Sequence, residues 1–464
     1  MHTNDLSARP SARRFARVAA LATWMALLLA GAAFAAEGDS TATNPAAPPE
    51  LPRAKPQIIV IDNFRPHDAR GLNVFEPPKT STVPYTGFQL QIGGAFTQQF
   101  QDLTHKNTAA PNVVGGVNLN KLIDIGPGFN NADANLYIDT QLGRGIRMAL
   151  TMYLSSRHHN ETWVKDGYLL IDGSPWENET LDNIMKYLTL RLGHFEINYG
   201  DMHFRRSDNG QTIFNPFVGN LIMDAFTTEI GGEAYVHAKD AFGMVAVTGG
   251  EVHGLVTTPD ARSPSFIGKL GYDKQLNPAA RVRITGSIYT TNSSQSNTLY
   301  SGSRAGSRYY FVLENVNATE SANAWSGDIQ PGQSDKVTAW VVNPFIKYQG
   351  LELFGNVEQS NGRKSTETSD RKFTQNAVEG IYRFLKNQFY VGGRYDIVKG
   401  RPAGAAFTQD VTVDRTEVGG GWFLTQNMLA KIEYVQQDYK DYPVSDIHNG
   451  GQFKGVMVEA GVSF

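Results

Sequence analysis

The chain has 464 residues, no cysteine, 46 glycines, 41% apolar and 19% charged residues, and a formal charge of −3. Without cysteine there is no disulfide scaffold, thiolate metal cluster or cysteine nucleophile, and the slightly acidic balance offers no basic field for nucleic acid. Mean hydropathy below zero excludes a bundle of membrane helices, each of which needs about 20 apolar residues in a row.

Only residues 18–36 approach such a run, and they stand near the N-terminus. Arg9, Arg13, Arg14 and Arg17 precede or open it, and Ala33-Phe34-Ala35 sets small residues where a signal peptidase reads them. This predicts a secretory leader over 1–35 cut after Ala35, with Ala36 as the alternative boundary; Arg13-Arg14 also admits a twin-arginine reading, although its flanks fit poorly. The leader carries four arginines against Asp5, so its loss takes the charge from −3 to −6.

Residues 36–56 hold Pro45, Pro48, Pro49, Pro52 and Pro56 among Ala, Thr and Ser, the composition of an extended linker without a core. Ile58-Ile59-Val60-Ile61 forms a short apolar run, and Pro66, Pro77, Pro78 and Pro84 delay regular structure until about Tyr85. The whole stretch 36–84 is expected to be a Pro-rich periplasmic segment.

From Tyr85 onward apolar and polar residues alternate. Phe88, Leu90, Ile92 and Phe96 alternate with Gln89, Gln91 and Thr97, and Ile146, Met148, Leu150, Met152 and Leu154 with Arg147, Thr151 and Ser155. A period of two gives each strand one apolar and one polar face. The pattern places strands at 85–102, 132–142, 145–156, 163–172, 186–199, 227–237, 241–252 and 264–274. Further strands follow at 280–292, 335–348, 351–361, 373–385, 388–399, 411–424, 427–438 and 452–464. Many exceed the usual five or six residues and match the roughly 9–11 that a tilted membrane strand requires. Short turns, such as Gly143-Arg144-Gly145 and Gln349-Gly350, alternate with longer polar connections, the asymmetry of outer-membrane barrels. The count is sixteen, with the apolar piece 308–313 assigned to an external loop hairpin; eighteen strands stay open as an alternative. The fold class is therefore an all-β transmembrane antiparallel barrel with a long loop after the fifth strand. Tyr85, Tyr187, Tyr348, Phe389, Trp422 and Phe464 near strand ends suit an interfacial girdle.

On this strand pattern, the even count, the long fifth connection, the terminal Phe464 and the passage Arg191-Leu192-Gly193-His194-Phe195, residues 85–464 resemble bacterial outer-membrane porins, most nearly the sixteen-stranded phosphate-selective O/P type. The resemblance implies a homotrimer in outer-membrane lipid, a loop folded into the pore after strand five, and recognition of Phe464 by the outer-membrane assembly machinery. It gives no role to 36–84.

The expected constriction loop, 200–226, carries Asp201, His203, Arg205, Arg206, Asp208 and Asp224, with Asn209-Gly210 and Asn215-Pro216 for its turns and Phe204, Phe214 and Phe217 to wedge it. Charged groups at a narrow point set selectivity; the competing reading is a solvated external loop. Alternation places Arg147, Arg191, Lys269, Arg281, Arg283, Arg383 and Arg394 on the lumen face, with Glu196, Glu379 and Asp396 among the acids. A basic ladder facing an acidic wall would favour polar solutes and, with Arg205 and Arg206, anionic ones; alternatively the lumen charges pair with one another. No Gly-x-Ser-x-Gly elbow, His-Glu-x-x-His helix or phosphate-binding loop occurs. No cofactor is expected, and His158-His159 with Glu161 makes a poor chelate because neighbours on an extended chain point apart. The expected function is passive diffusion of small hydrophilic solutes, with a structural or adhesive barrel tethered through its N-terminal segment as the alternative.

Overall fold

The computed structural model describes residues 61, 63–76, 79, 85–155, 162–249, 262–301 and 309–464. The expected leader, the linker over 36–56 and the His158-His159-Glu161 group lie outside the described residues.

Sixteen strands close into one antiparallel barrel. They are β1 (Gln89–Lys106), β2 (Gly128–Gly143), β3 (Ile146–Ser155), β4 (Thr162–Ile171), β5 (Leu188–Glu196) and β6 (Thr228–Ala238). Next come β7 (Ala241–Thr248), β8 (Ser265–Asn277), β9 (Ala280–Thr291), β10 (Lys336–Tyr348) and β11 (Leu351–Arg363). The series ends with β12 (Arg371–Phe384), β13 (Phe389–Gly400), β14 (Val411–Thr425), β15 (Met428–Lys440) and β16 (Gln452–Ser463). Each pairs with its sequence neighbours, and β1 pairs with β16 from Ala95↔Ser463 to Lys106↔Gln452. The seam continues to the last residue: Phe464 and Gly94 exchange both backbone N–H···O bonds at 3.0 Å. Closure leaves no strand edge unpaired, which a bilayer demands because it has no water to satisfy backbone groups.

Alternation decides which side of the wall each residue faces. On β8, Lys269 is 1% exposed and its neighbour Leu270 is 73% exposed, so the ammonium points into the barrel and the isobutyl group outward. The outward series Phe88, Ile92, Ile284, Val378, Val391 and Val418 is likewise exposed and apolar. Tyr85, Tyr187, Tyr348, Trp422 and Phe464 are exposed at the short-turn end, where Phe389 stacks on Trp422 with centroids 5.8 Å apart. An apolar outer face ending in an aromatic girdle identifies the lipid-facing surface.

The short turns all lie at one end. Two tight ones are closed by left-handed residues, Gly145 (φ 66°) and Lys239 (φ 54°), whose geometry suits the twist of paired strands. The β4–β5 connection on this end is longer and holds a helix, α1 (Glu179–Met185), capped by Asn178 on the Leu181 N–H. At the other end Tyr309–Tyr310 pairs with Trp325–Ser326 as a separate two-stranded sheet. The described part of the apolar piece, 309–313, is thus a loop element, and the barrel stays at sixteen.

The interior departs from a uniformly polar lumen. Near the long-loop end Val337, Ala339, Val341, Val398, Val411, Val413 and Val435 face inward and pack on Val218, Ile222 and Met223 of the fifth connection and on Tyr309 and Val312. Strand alternation decides which residues face in; the loops that fold back on them decide whether those residues meet water. Fully burying such side chains contributes about 1.5–3 kcal/mol each, which holds the loops against the wall.

Candidate functional site

The connection after β5 turns inward at its first residues. Gly200 N–H donates to Ser287 Oγ at 3.1 Å and Asp201 N–H to Asn343 Oδ1 at 2.8 Å, tying the loop start to β9 and β10. A single 3-10 turn, Met202–Phe204, follows. Farther along, Asn209 (φ 52°) and Gly210 form the tip. Gly210 N–H donates to Asn135 Oδ1 at 2.9 Å, and Gly210 O accepts from Thr97 Oγ1 at 2.8 Å, so the tip lies on β1 and β2. The return leg is capped by wall side chains. Val218 N–H donates to Glu433 at 2.6 Å, Ile222 N–H to Asp396 at 2.6 Å, and Met223 N–H to Gln375 at 2.7 Å. Lys431 Nζ donates to the carbonyls of Thr212, Asn215 and Phe217 at 3.1, 3.0 and 2.7 Å. The loop is not a solvated external excursion: it crosses the interior and touches walls on several sides.

Its charged residues are all partnered. Asp201 lies 2.8 Å from Lys269 Nζ and 2.8 Å from Arg283 Nε. Burial alone would raise the Asp201 carboxyl, but Lys269 and Arg283 outweigh burial and hold it well below the usual range. His203 Nε2 is 2.9 Å from Asn198 Oδ1; burial pushes its pKa down, against the pull of Glu196. Arg205 donates to Glu379 and Asn73. Arg206 meets Asp224 at 2.6 Å and Asp208 at 3.2 Å.

The lumen residues named from alternation do face inward. Arg147 pairs with Asp172, and Arg191 with Glu233 at 2.5 Å. Glu196 meets Lys165 at 2.5 Å, and Arg281 meets Asp273 at 2.6 Å. Arg383 donates to Glu352 at 2.9 Å, and Arg394 reaches Glu379 at 2.7 Å and Glu417 at 3.3 Å. Bases and acids therefore sit beside one another, often on adjacent strands, where a transverse field would need them on opposite walls. Desolvation explains this: an unpaired charge in a crowded interior costs several kcal/mol, of order, and pairing offsets most of it.

Several interior groups escaped the sequence reading. Glu352, Arg415, Glu417 and Lys431 obey the same alternation as the residues named. Lys165 does not. The β3–β4 register shifts between Thr151↔Asp166 and Met152↔Val164, so a bulge at Lys165 turns two consecutive residues inward. Its ammonium then lies 3.0, 2.5 and 3.2 Å from Asp166, Glu196 and Asp208.

The N-terminal segment also contributes. Residues 63–76 enter the barrel at its short-turn end: His67 stacks on Tyr137 at 3.7 Å, Asn73 donates to Glu352 at 2.7 Å, and Glu76 meets Lys269 and Arg283 at 2.9 and 2.6 Å. Nothing in the period-two pattern signals this placement.

Closed wall, apolar exterior and charged interior define the class: a sixteen-stranded transmembrane β-barrel of the bacterial outer membrane. Among solved structures, similar chain paths occur in OprB of Pseudomonas putida (10% identity, TM-score 0.48, 82% of this chain and 94% of that one). OmpT of Vibrio cholerae gives 10%, 0.47, 82% and 99%, and the anion-selective porin of Comamonas acidovorans gives 12%, 0.46, 81% and 100%. No family model and no curated protein matches the chain. The barrel itself rests on the chain's own hydrogen-bonded ladder.

Proposed function

We propose that the chain is an outer-membrane porin: a channel for passive diffusion of small hydrophilic solutes, narrowed by the 200–226 loop. The observation that supports this most is the loop's course across a charged interior while the outer face meets lipid. A preference for anionic solutes is the finer reading. Arg205 and Arg206 each face a carboxylate, so any excess positive potential must arise where their pairing is incomplete. Reconstitution into planar bilayers should give stepwise conductance, and Arg205→Ala with Arg206→Ala should lower anion preference in reversal potential. Folded protein that never conducts overturns the channel; an unchanged reversal potential removes those two arginines from selectivity. Inorganic phosphate belongs in the solute panel, because the passage Arg191-Leu192-Gly193-His194-Phe195 resembles the phosphate-selective porin type. A homotrimer is part of the same proposal, checked by cross-linking in detergent. The apolar packing inside the long-loop end favours one alternative, a structural barrel tethered through its N-terminal segment, for which conductance should be nil.

A further inference from the structure

Residues 63–76 occupy the short-turn mouth without joining the wall. Their regular structure is one 3-10 turn, Ala69–Gly71, and the barrel ladder closes from β1 to β16 without them. What holds them is a series of separate contacts, polar and aromatic. Arg65 donates to Gly71 O and Phe204 O at 2.8–2.9 Å and lies 3.6 Å over the Phe214 ring. Ala69 N–H donates to Gln426 O at 2.8 Å in the β14–β15 turn. Phe75 packs edge-on to Phe345, with centroids 5.4 Å apart. Every one of these partners belongs to the wall, the turns, the 200–226 loop or the segment itself, and none requires the segment for its own backbone pairing in the barrel.

Glu76 is the most informative member. Its carboxylate receives Lys269 Nζ at 2.9 Å, Arg283 at 2.6 Å and Asn198 Nδ2 at 3.0 Å. Three donors from β8, β9 and the loop start thus converge on one carboxylate brought from outside the barrel sequence. The local charges balance only while it is present: Lys269, Arg281 and Arg283 stand against Glu76, Asp201 and Asp273. Withdrawal of Glu76 leaves one net positive charge and three aimed donors. Beside it lies a cleft lined partly by the segment itself, through Arg65 and Phe75, and on the barrel side by Tyr168, Arg191, Tyr235 and His237, and the barrel side remains for the body of a small molecule. Burial alone would raise the Glu76 carboxyl, but Lys269 and Arg283 hold it down to about 2. Acid at ordinary strength therefore does not neutralise it.

We propose that residues 63–76 are the barrel's own stopper, with the Glu76 carboxylate seated in a carboxylate-binding site of Lys269, Arg283 and Asn198 until a carboxylate-bearing solute displaces it. The proposal rests on the channel reading above and assigns it a substrate class. Because the chain has no cysteine, Ala69→Cys with Gln426→Cys can staple the segment to the turn it already touches. In planar bilayers with succinate present, the oxidised staple should conduct several-fold less than the same channels after dithiothreitol. Succinate at constant ionic strength should raise the conductance of the unstapled full chain but not of the stapled one, and Glu76→Gln should conduct more without succinate. Equal conductance of stapled, reduced and Glu76→Gln channels in succinate overturns the stopper while leaving the channel intact. Hydrogen exchange reads the stopper without any current: succinate should speed deuterium uptake in peptides covering 63–76. Unchanged uptake refutes displacement whether or not the barrel conducts, and accelerated uptake in a barrel that never conducts keeps the carboxylate site but removes the channel.

Discussion

Replacing Gly210 by leucine tests whether the 200–226 loop narrows the bore. A Cβ at this position would lie 2.6 Å from Ala134 Cα, and 2.9 Å from Ala134 C and Ala95 O. All three are backbone atoms of the barrel wall, so the wall cannot yield as a flexible side chain would. Ordinary contact is about 3.4–4 Å, so the tip must back away by roughly 1 Å for the first carbon and farther for the rest of the side chain. That shift breaks the bonds that anchor the tip: Gly210 N–H to Asn135 Oδ1, Thr97 Oγ1 to Gly210 O, and Asn209 Nδ2 to Ala134 O and Asn135 Oδ1. At about 1 kcal/mol for each of these buried bonds, the tip loses about 4 kcal/mol of anchorage. Since about 1.4 kcal/mol is tenfold, the seated state falls by nearly three decades relative to the unseated one. The assay is single-channel conductance and open-channel noise, with heat-modifiable gel mobility to confirm a folded barrel. Conductance and noise should both rise. Gly286→Leu is the control, because Gly286 faces outward between buried Thr285 and Ser287 and a Cβ there meets nothing within 4 Å. A folded Gly210→Leu barrel with the conductance and noise of the parent would refute the idea that the loop tip limits the pore.

Two further perturbations address the interior charges. Lys165→Met leaves Asp166, Glu196 and Asp208 around an uncharged side chain, and removing one partner from a buried ionic group costs about 3–5 kcal/mol; the urea midpoint of the barrel should fall accordingly, and an unchanged midpoint would show that water already screens the three carboxylates. His203, lowered by burial below its ordinary value of 6.5, is neutral in the folded loop and protonates more readily once unfolded. Its contribution is therefore complete above pH 6.5 and is lost as pH falls from there through the lower folded value, so urea midpoints compared at pH 8 and pH 5 should drop more in the parent than in His203→Gln. Equal drops would remove His203 as the source.

How much of this was legible in the sequence follows from what each feature depends on. Strands could be placed because a lipid-facing barrel imposes period two on a long stretch, and Leu270 beside Lys269 shows the rule at its clearest: adjacent residues, opposite solvents. The long connection after the fifth strand was legible too, since its length and Asn209-Gly210 at its tip are local features of the chain. Pairing was not. Arg394 lies on Glu379 and Glu417 because β12, β13 and β14 are neighbours in register, a relation that a list of inward-facing residues does not contain. Lys165 was hidden by a bulge, where a single extra residue reverses the parity that the reading depends on. The apolar interior at the long-loop end was hidden for a different reason: Val413 and Val435 look lumen-facing by alternation whether water or Val218 and Ile222 lie against them. The stopper depends on contacts spanning about two hundred residues, Glu76 with Lys269 and Arg283, made by a segment with no periodicity. It follows that function in this barrel is carried by the parts whose placement is tertiary, since the wall alone would be an open cylinder with paired charges. What distinguishes this chain from such a cylinder is the loop and the segment that fill it, and both are held outside the barrel ladder, by side-chain hydrogen bonds and ion pairs, by apolar packing and by backbone bonds such as Ala69 N–H to Gln426 O.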